Sequence, residues 1–158
     1  MSATDALNKT IVTNRAAFHE YHVEERYEAG AALVGTEVKS IRTGAIQLKD
    51  SYVQIEGGEA WLKNAHVSPY SHGNRENHDA LRPRKLLLHR REIVKLEQAA
   101  TVKGMTLVVT KIYLKKGRIK FEIGIARGKK LYDKRESEMR RTIERDVRAQ
   151  IKERGKRE

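Results

Sequence analysis

Two sets of residues in this chain have the types that chemistry needs. The first is a group of imidazoles and carboxylates: His66, His72, His78 and His89, with Glu76 and Asp79 among them. Side chains of this kind can hold a divalent cation and its activated water, as a metal-dependent nuclease requires. Their placement argues against that use. The stretch "SPYSHGNRENHDALRPR" carries both prolines of the chain and no apolar period, so it reads as a long loop. It lacks the i, i+4 or short-pair spacing that fixes metal ligands. There is also no cysteine, no Gly-rich phosphate loop and no defensible Ser, His, Asp order. The expectation is a protein that is not an enzyme, with no metal, no cofactor and no catalytic residue.

The second set is cationic. In "RGKKLYDKR" one glycine, Gly128, precedes Lys129, Lys130, Tyr132, Asp133, Lys134 and Arg135. Glycine permits a bend or a close backbone approach, the cations suit phosphates, and a tyrosine can stack on a base. From Ala126 onward there are 13 Lys or Arg against 7 Asp or Glu, a surplus of +6 out of a net +12 for the whole chain. Met139, Ile143, Val147 and Ile151 recur every four residues, while Arg140, Arg141, Arg145, Arg148 and Lys152 take the other faces. A stripe this thin gives little reason to pack. The tail is expected to be disordered or frayed when free and helical against a polyanion. The plainer reading is a solvated terminal helix.

Such cations need a rigid body to carry them. At 158 residues, 39% hydrophobic and 34% charged, the chain suits one small domain with an appendage. The basic excess points to a polyanionic partner. The lack of cysteine, of a basic-then-apolar leader and of any apolar run near the ~20 residues of a membrane span predicts a soluble cytoplasmic protein that does not enter a membrane. "HEYHVEERYEAG" alternates, with Tyr21, Val23, Tyr27 and Ala29 on one parity and Glu25 breaking the pattern. "TEVKSIRTGAIQLKDSY" fits a strand or a short helix. Gly57-Gly58 and Lys116-Gly117 mark hairpin turns. "RKLLLHRREIVKLEQAATVKG" reads as a helix stopped by Gly104, "MTLVVTKIYL" as a well-covered strand, and "RIKFEIGIA" as the cleanest strand. The prediction is mainly β with helices: a small six-stranded antiparallel barrel with flanking helices and a basic C-terminal tail. The boundaries are a loose N-terminus at 1–12, a barrel domain at 13–126 and the tail at 127–158. Lys39 and Arg42, in "EVKSIR", fit either phosphate contacts or a solvated face.

"NRAAFHEY", "EAGAALVGTEVKSIR", "RPRKLLLHRREI" and "GKKLYDKRE" occur in that order and together closely resemble the SmpB, or SsrA-binding protein, family over roughly residues 8–158. The resemblance implies an oligonucleotide-binding barrel that binds transfer-messenger RNA at its tRNA-like domain and escorts it to stalled ribosomes. There the tail enters the decoding centre and the empty message channel, becomes helical, and the stalled peptide is tagged for degradation. Residue by residue, it implies RNA contacts at Asn14, Glu28 and Leu87 and carries the tail motif onto Gly128, Lys129, Asp133, Lys134 and Arg135. Lys130 joins the RNA set. Tyr132, Arg140, Arg141, Ile143, Arg145 and Ile151 join the ribosomal set. Tyr132 stands where many members have histidine. The partners expected are transfer-messenger RNA and the ribosome, met by a monomer. The bland alternatives remain: Asn14 as a helix or turn cap, Glu28 as a surface ion pair, Leu87 as core, and the whole as a generic oligonucleotide-binding or ribosomal protein.

Overall fold

A computed structural model describes residues 8–71, 77–129 and 131–157. In chain order these form β1 (Lys9–Thr13), α1 (Arg15–Glu20), β2 (Tyr21–Ala31), α2 (Gly35–Arg42), β3 (Ile46–Gln47), β4 (Tyr52–Glu56), β5 (Glu59–Lys63), β6 (His66–Val67), β7 (Arg84–Leu87), α3 (Arg90–Ala100), β8 (Met105–Lys115), β9 (Arg118–Gly128) and α4 (Leu131–Arg157). The chain divides into two units, Met1–Gly128 and Lys129–Glu158. In the first, seven antiparallel strands run in the order β1-β8-β9-β2-β7-β5-β4, and β3 pairs with β6 alongside. The sheet is barrel-like but open, because no ladder joins its terminal strands β1 and β4. The architecture is the expected oligonucleotide-binding type. The described strands number nine rather than six: β1 falls largely in the stretch expected to be loose, β3 and β6 are two residues each and leave no period, and β7 lies in a run that reads as helix.

Both expected hairpin turns carry positive φ at their two central residues: 58° and 76° at Gly57-Gly58, 53° and 76° at Lys116-Gly117. One expected helix is corrected. "RKLL" is strand β7, and the helix starts only at Arg90. His89 is its N-cap, and the Glu92 carboxylate accepts from the His89 N–H at 3.2 Å. The ambiguous stretch after Val34 resolves into α2 followed by β3.

Three bulges decide which side chains face the core. Ladder register shifts between Thr10 and Val12, between Val23 and Glu25, and between Val109 and Lys111. An extra residue re-aims every side chain beyond it. Hence Tyr21 and Val23 pack with Ala17, Val108 and Ala126 in a small cluster under α1, whereas Tyr27 and Ala29, of the same sequence parity, join the main core with Leu62, Leu107, Phe121 and Ile123. Gly124 sits at this junction, where a Cβ would lie 2.8 Å from Val23 and 3.0 Å from Thr110.

An ion cluster closes the other side. Glu37, 0% exposed, opens α2 and accepts from Val34 N–H at 3.0 Å, from Arg82 Nη2 and from Arg84 Nε. Arg84, 1% exposed, also donates to the carbonyls of Ala65, Asp79 and Ala80 at 2.7, 3.2 and 3.2 Å. Two otherwise prohibitive burials thereby satisfy each other and pin the irregular stretch before β7.

Candidate nucleic-acid interface

The alternation beyond the bulges throws a set of polar side chains onto the sheet face opposite the core. Arg26 and Glu28 come from β2, Lys120 and Glu122 from β9, and Lys111, Tyr113 and Lys115 from β8. The register sets Glu28 directly beside Glu122, Glu122 beside Lys111, and Lys120 beside Tyr113. Each carboxylate has its own partners. Glu28 accepts from the Tyr113 hydroxyl and lies 3.4 Å from Lys115 Nζ. Glu122 accepts from Thr110 Oγ1 at 2.6 Å and sits 3.8 Å from Arg26 Nη1. The Tyr113 hydrogen bond, joined by Lys115 and opposed by partial burial, holds the Glu28 carboxyl below its usual range. Burial, and then the adjoining Glu28, push the Tyr113 phenol well above its own. Glu28 is therefore an ionised acceptor held by a protonated donor.

Glu28 also lines a hollow of about 810 Å³ with Gly30, Lys85, Leu87, Arg90 and Lys120. Gly30 pairs with Leu87 across the β2–β7 ladder. Its missing Cβ would lie 3.6 Å from Leu87 Cβ and 3.9 Å from Lys120 Nζ, so glycine keeps the hollow deep. Leu87 is 51% exposed between buried Leu86 and half-buried Leu88. The helical reading of this stretch would have made Leu87 core; as a strand residue it faces out. Two of the three barrel residues implied by resemblance thus meet in one place: an apolar platform, an acceptor and flanking cations.

Asn14 does not join them. It is buried as the N-cap of α1, where Oδ1 accepts from Ala17 N–H at 3.2 Å, Nδ2 donates to Val109 C=O at 2.9 Å, and the backbone N–H donates to Thr110 C=O at 2.8 Å. It borders a separate hollow of about 290 Å³ with Tyr21, Asp50 and Tyr52. Lys39 and Arg42 line neither. Lys39 Nζ stands 5.4 Å from the Tyr70 ring centre. Arg42 Nη2 donates to Gly117 C=O at 3.0 Å, tying α2 to the β8–β9 turn.

In the second unit α4 begins at Leu131, which puts Tyr132, Asp133, Lys134 and Arg135 in its first turns. Arg135 and all residues from 138 to 150 are exposed, including Arg140, Arg141, Ile143 and Arg145. Lys130 lies outside the described residues, and Ile151 is described only as part of the helix. Gly128 ends β9 at an ordinary φ, and a Cβ there would meet nothing within 4 Å. The fold itself does not call for glycine at that position.

A family description, SmpB protein, matches residues 11–153. The chain belongs to the SmpB family. Relatives named SsrA-binding protein include those of Desulfitobacterium hafniense, 54% identical over 94% of this chain and 95% of the relative, and Caldanaerobacter subterraneus subsp. tengcongensis, 56% identical over 92% of each. Among solved structures, a chain reported under "tmRNA-SmpB: a journey to the center of the bacterial ribosome" is 46% identical, covers 76% of this chain and 85% of its own, and superposes with a TM-score of 0.65.

Against the SmpB frame, the sequence reading missed the partners of Glu28. Their signal was present: in "KIYLK" the polar residues Lys111, Tyr113 and Lys115 alternate with apolar ones, but Val108 and Val109 before the bulge mask the period. His78 bonds Thr36 Oγ1 and Val67 C=O, both at 2.9 Å. Among the described residues no three His, Asp or Glu gather in a way that could hold an ion; His72 and Glu76 lie outside them. No described helix is long and apolar enough to cross a membrane.

Proposed function

We propose that this chain binds transfer-messenger RNA at its tRNA-like domain through the sheet unit and brings it to ribosomes stalled on messages without a usable stop codon, where the unfinished peptide is tagged for degradation. The observation that carries the reading is the reach of the family match, residues 11–153, which takes in both the sheet and most of the tail. The exposed Glu28–Leu87 hollow supports it, since an acceptor beside an apolar platform reads donors and bases rather than phosphate alone. In this reading Gly128, Lys129 and Lys130 lie at the edge of the RNA contact, and Lys39 and Arg42 add phosphate contacts. Asn14 acts by fixing α1. The tail probes the decoding centre and the empty message channel, with Lys134 and Arg135 on ribosomal phosphates and Tyr132 stacking where relatives have an imidazole. The protein works as a cytoplasmic monomer and as a binder, not an enzyme.

Competition binding tests this. The tRNA-like domain of transfer-messenger RNA is expected to displace a labelled copy at least tenfold better than an unstructured strand of equal length at moderate salt. Affinity should fall steeply as salt rises. Equal competition would favour a generic oligonucleotide-binding or ribosomal protein. RNA cleavage abolished by EDTA would favour an enzyme.

A further inference from the structure

Two carboxylates set side by side on neighbouring strands repel, and on a basic, RNA-facing surface they also repel phosphate. A sheet that keeps them needs a compensating arrangement, and around Glu28 one is visible. The Tyr113 hydroxyl donates to the carboxylate, Lys115 stands 3.4 Å from both its oxygens, and Lys111 lies 5.3 Å from the Tyr113 ring centre. We propose that Tyr113 is a positioning residue for RNA recognition: its phenol holds the Glu28 carboxylate so that the remaining acceptor sites face the hollow beside Leu87, where they take hydrogen bonds from base N–H or ribose 2′-OH donors.

The chemistry of the partner matters. A carboxylate has about four acceptor sites and a phenol donates one hydrogen, so tyrosine orients the group while leaving most of it open. A bidentate arginine in its place would cover it. Lys115 and Lys120 offset the negative charge, so phosphate can approach while the acceptor capacity stays. The phenol keeps its proton because burial and the carboxylate both raise its pKa, so the donor is present throughout the physiological range. Holding one rotamer in advance also spares the complex the cost of ordering it.

This proposal rests on the reading of Glu28 as an RNA contact, and the test separates the two. The full chain is titrated against the tRNA-like domain as wild type, Tyr113→Phe, Glu28→Gln and the double variant, with thermal midpoints recorded for each. We expect Glu28→Gln to weaken binding about tenfold or more and Tyr113→Phe by about 3- to 10-fold. The double variant should be no weaker than Glu28→Gln within twofold. The salt slope of Tyr113→Phe should equal that of the wild type, because no phosphate-neutralising cation is lost. Multiplying effects in the double variant, or a silent Tyr113→Phe beside an impaired Glu28→Gln, would overturn the positioning role alone. A silent Glu28→Gln would overturn the Glu28 reading and the proposal with it.

Discussion

The sheet unit and the tail are both basic, but only the sheet unit is held in shape by its own packing. In residues 8–128 a continuous core runs from Ile41 through Leu107 to Ile123, each side chain of that size contributing ~1.5–3 kcal/mol when buried. The Glu37–Arg84–Arg82 cluster fixes the irregular segments over it. In α4 every described side chain is exposed. In the proposed reading the same sign of charge serves two kinds of recognition. A preorganised surface can select one RNA shape, while a helix without its own core can respond to the channel that surrounds it.

The largest effect that would sharpen this contrast is expected from truncation after Tyr132. Tagging on stalled ribosomes should fall to background while affinity for the tRNA-like domain changes by less than about threefold, since no core residue is removed. Full-rate tagging by the truncated chain would end the division of labour. Circular dichroism of a free tail peptide should show little helix, for the same lack of packing.

Next comes the buried cluster. Glu37→Gln should cost about 3–5 kcal/mol, read as a lowered urea midpoint, because it strands the Arg84 charge. It should also change the acid limb. Burial raises the Glu37 carboxyl pKa, but the hydrogen bonds from Arg82, Val34 and Arg84 outweigh it and leave the group below its ordinary value of 4.5. A depressed carboxyl stabilises the fold above that value and loses its contribution as pH falls through the folded pKa. Wild type should therefore lose stability below about pH 4.5 more steeply than Glu37→Gln. A parallel acid limb would remove Glu37 from this role.

Three smaller changes follow, two in the tail and one in the sheet unit. Arg145→Pro should cost α4 about 3 kcal/mol of helix stability and impair tagging without shifting the thermal midpoint of the sheet. Alanine at Lys134 and Arg135 together should impair tagging with the midpoint equally unmoved. Asn14→Ala should lower stability by about 1–2 kcal/mol through the lost cap and the orphaned Val109 carbonyl. Any loss of RNA affinity should be no larger than its effect on α1. A large affinity loss at unchanged stability would make Asn14 a direct contact.

How legible this was in the sequence depended on distance along the chain. Local signals held: glycine turns and the alternation of Ile119 to Ile125. What was not legible arose between distant segments. Nothing in "EVKSIR" or "RPRK" announces that Glu37 and Arg84 pair across almost fifty positions. The bulges at Glu24 and Thr110 scrambled parity, hiding the face that carries Glu28 and Tyr113. The run from Leu86 to Leu88 read as the start of a helix because a short buried strand and a helix start share an apolar run.

The pairing of β1 with β8 has a consequence for synthesis. Asn14 bonds Val109 across 95 positions, and β2 depends on β9 for all but the rungs at Gly30 and Ala31. Neither N-terminal strand can close until Met105–Gly128 has been translated. Folding is thus governed by non-local closure and is expected to be slow for a chain of this size. A nascent chain halted between Leu87 and Met105 would expose the long edge of β2 unpaired, a template for association with other unfinished chains.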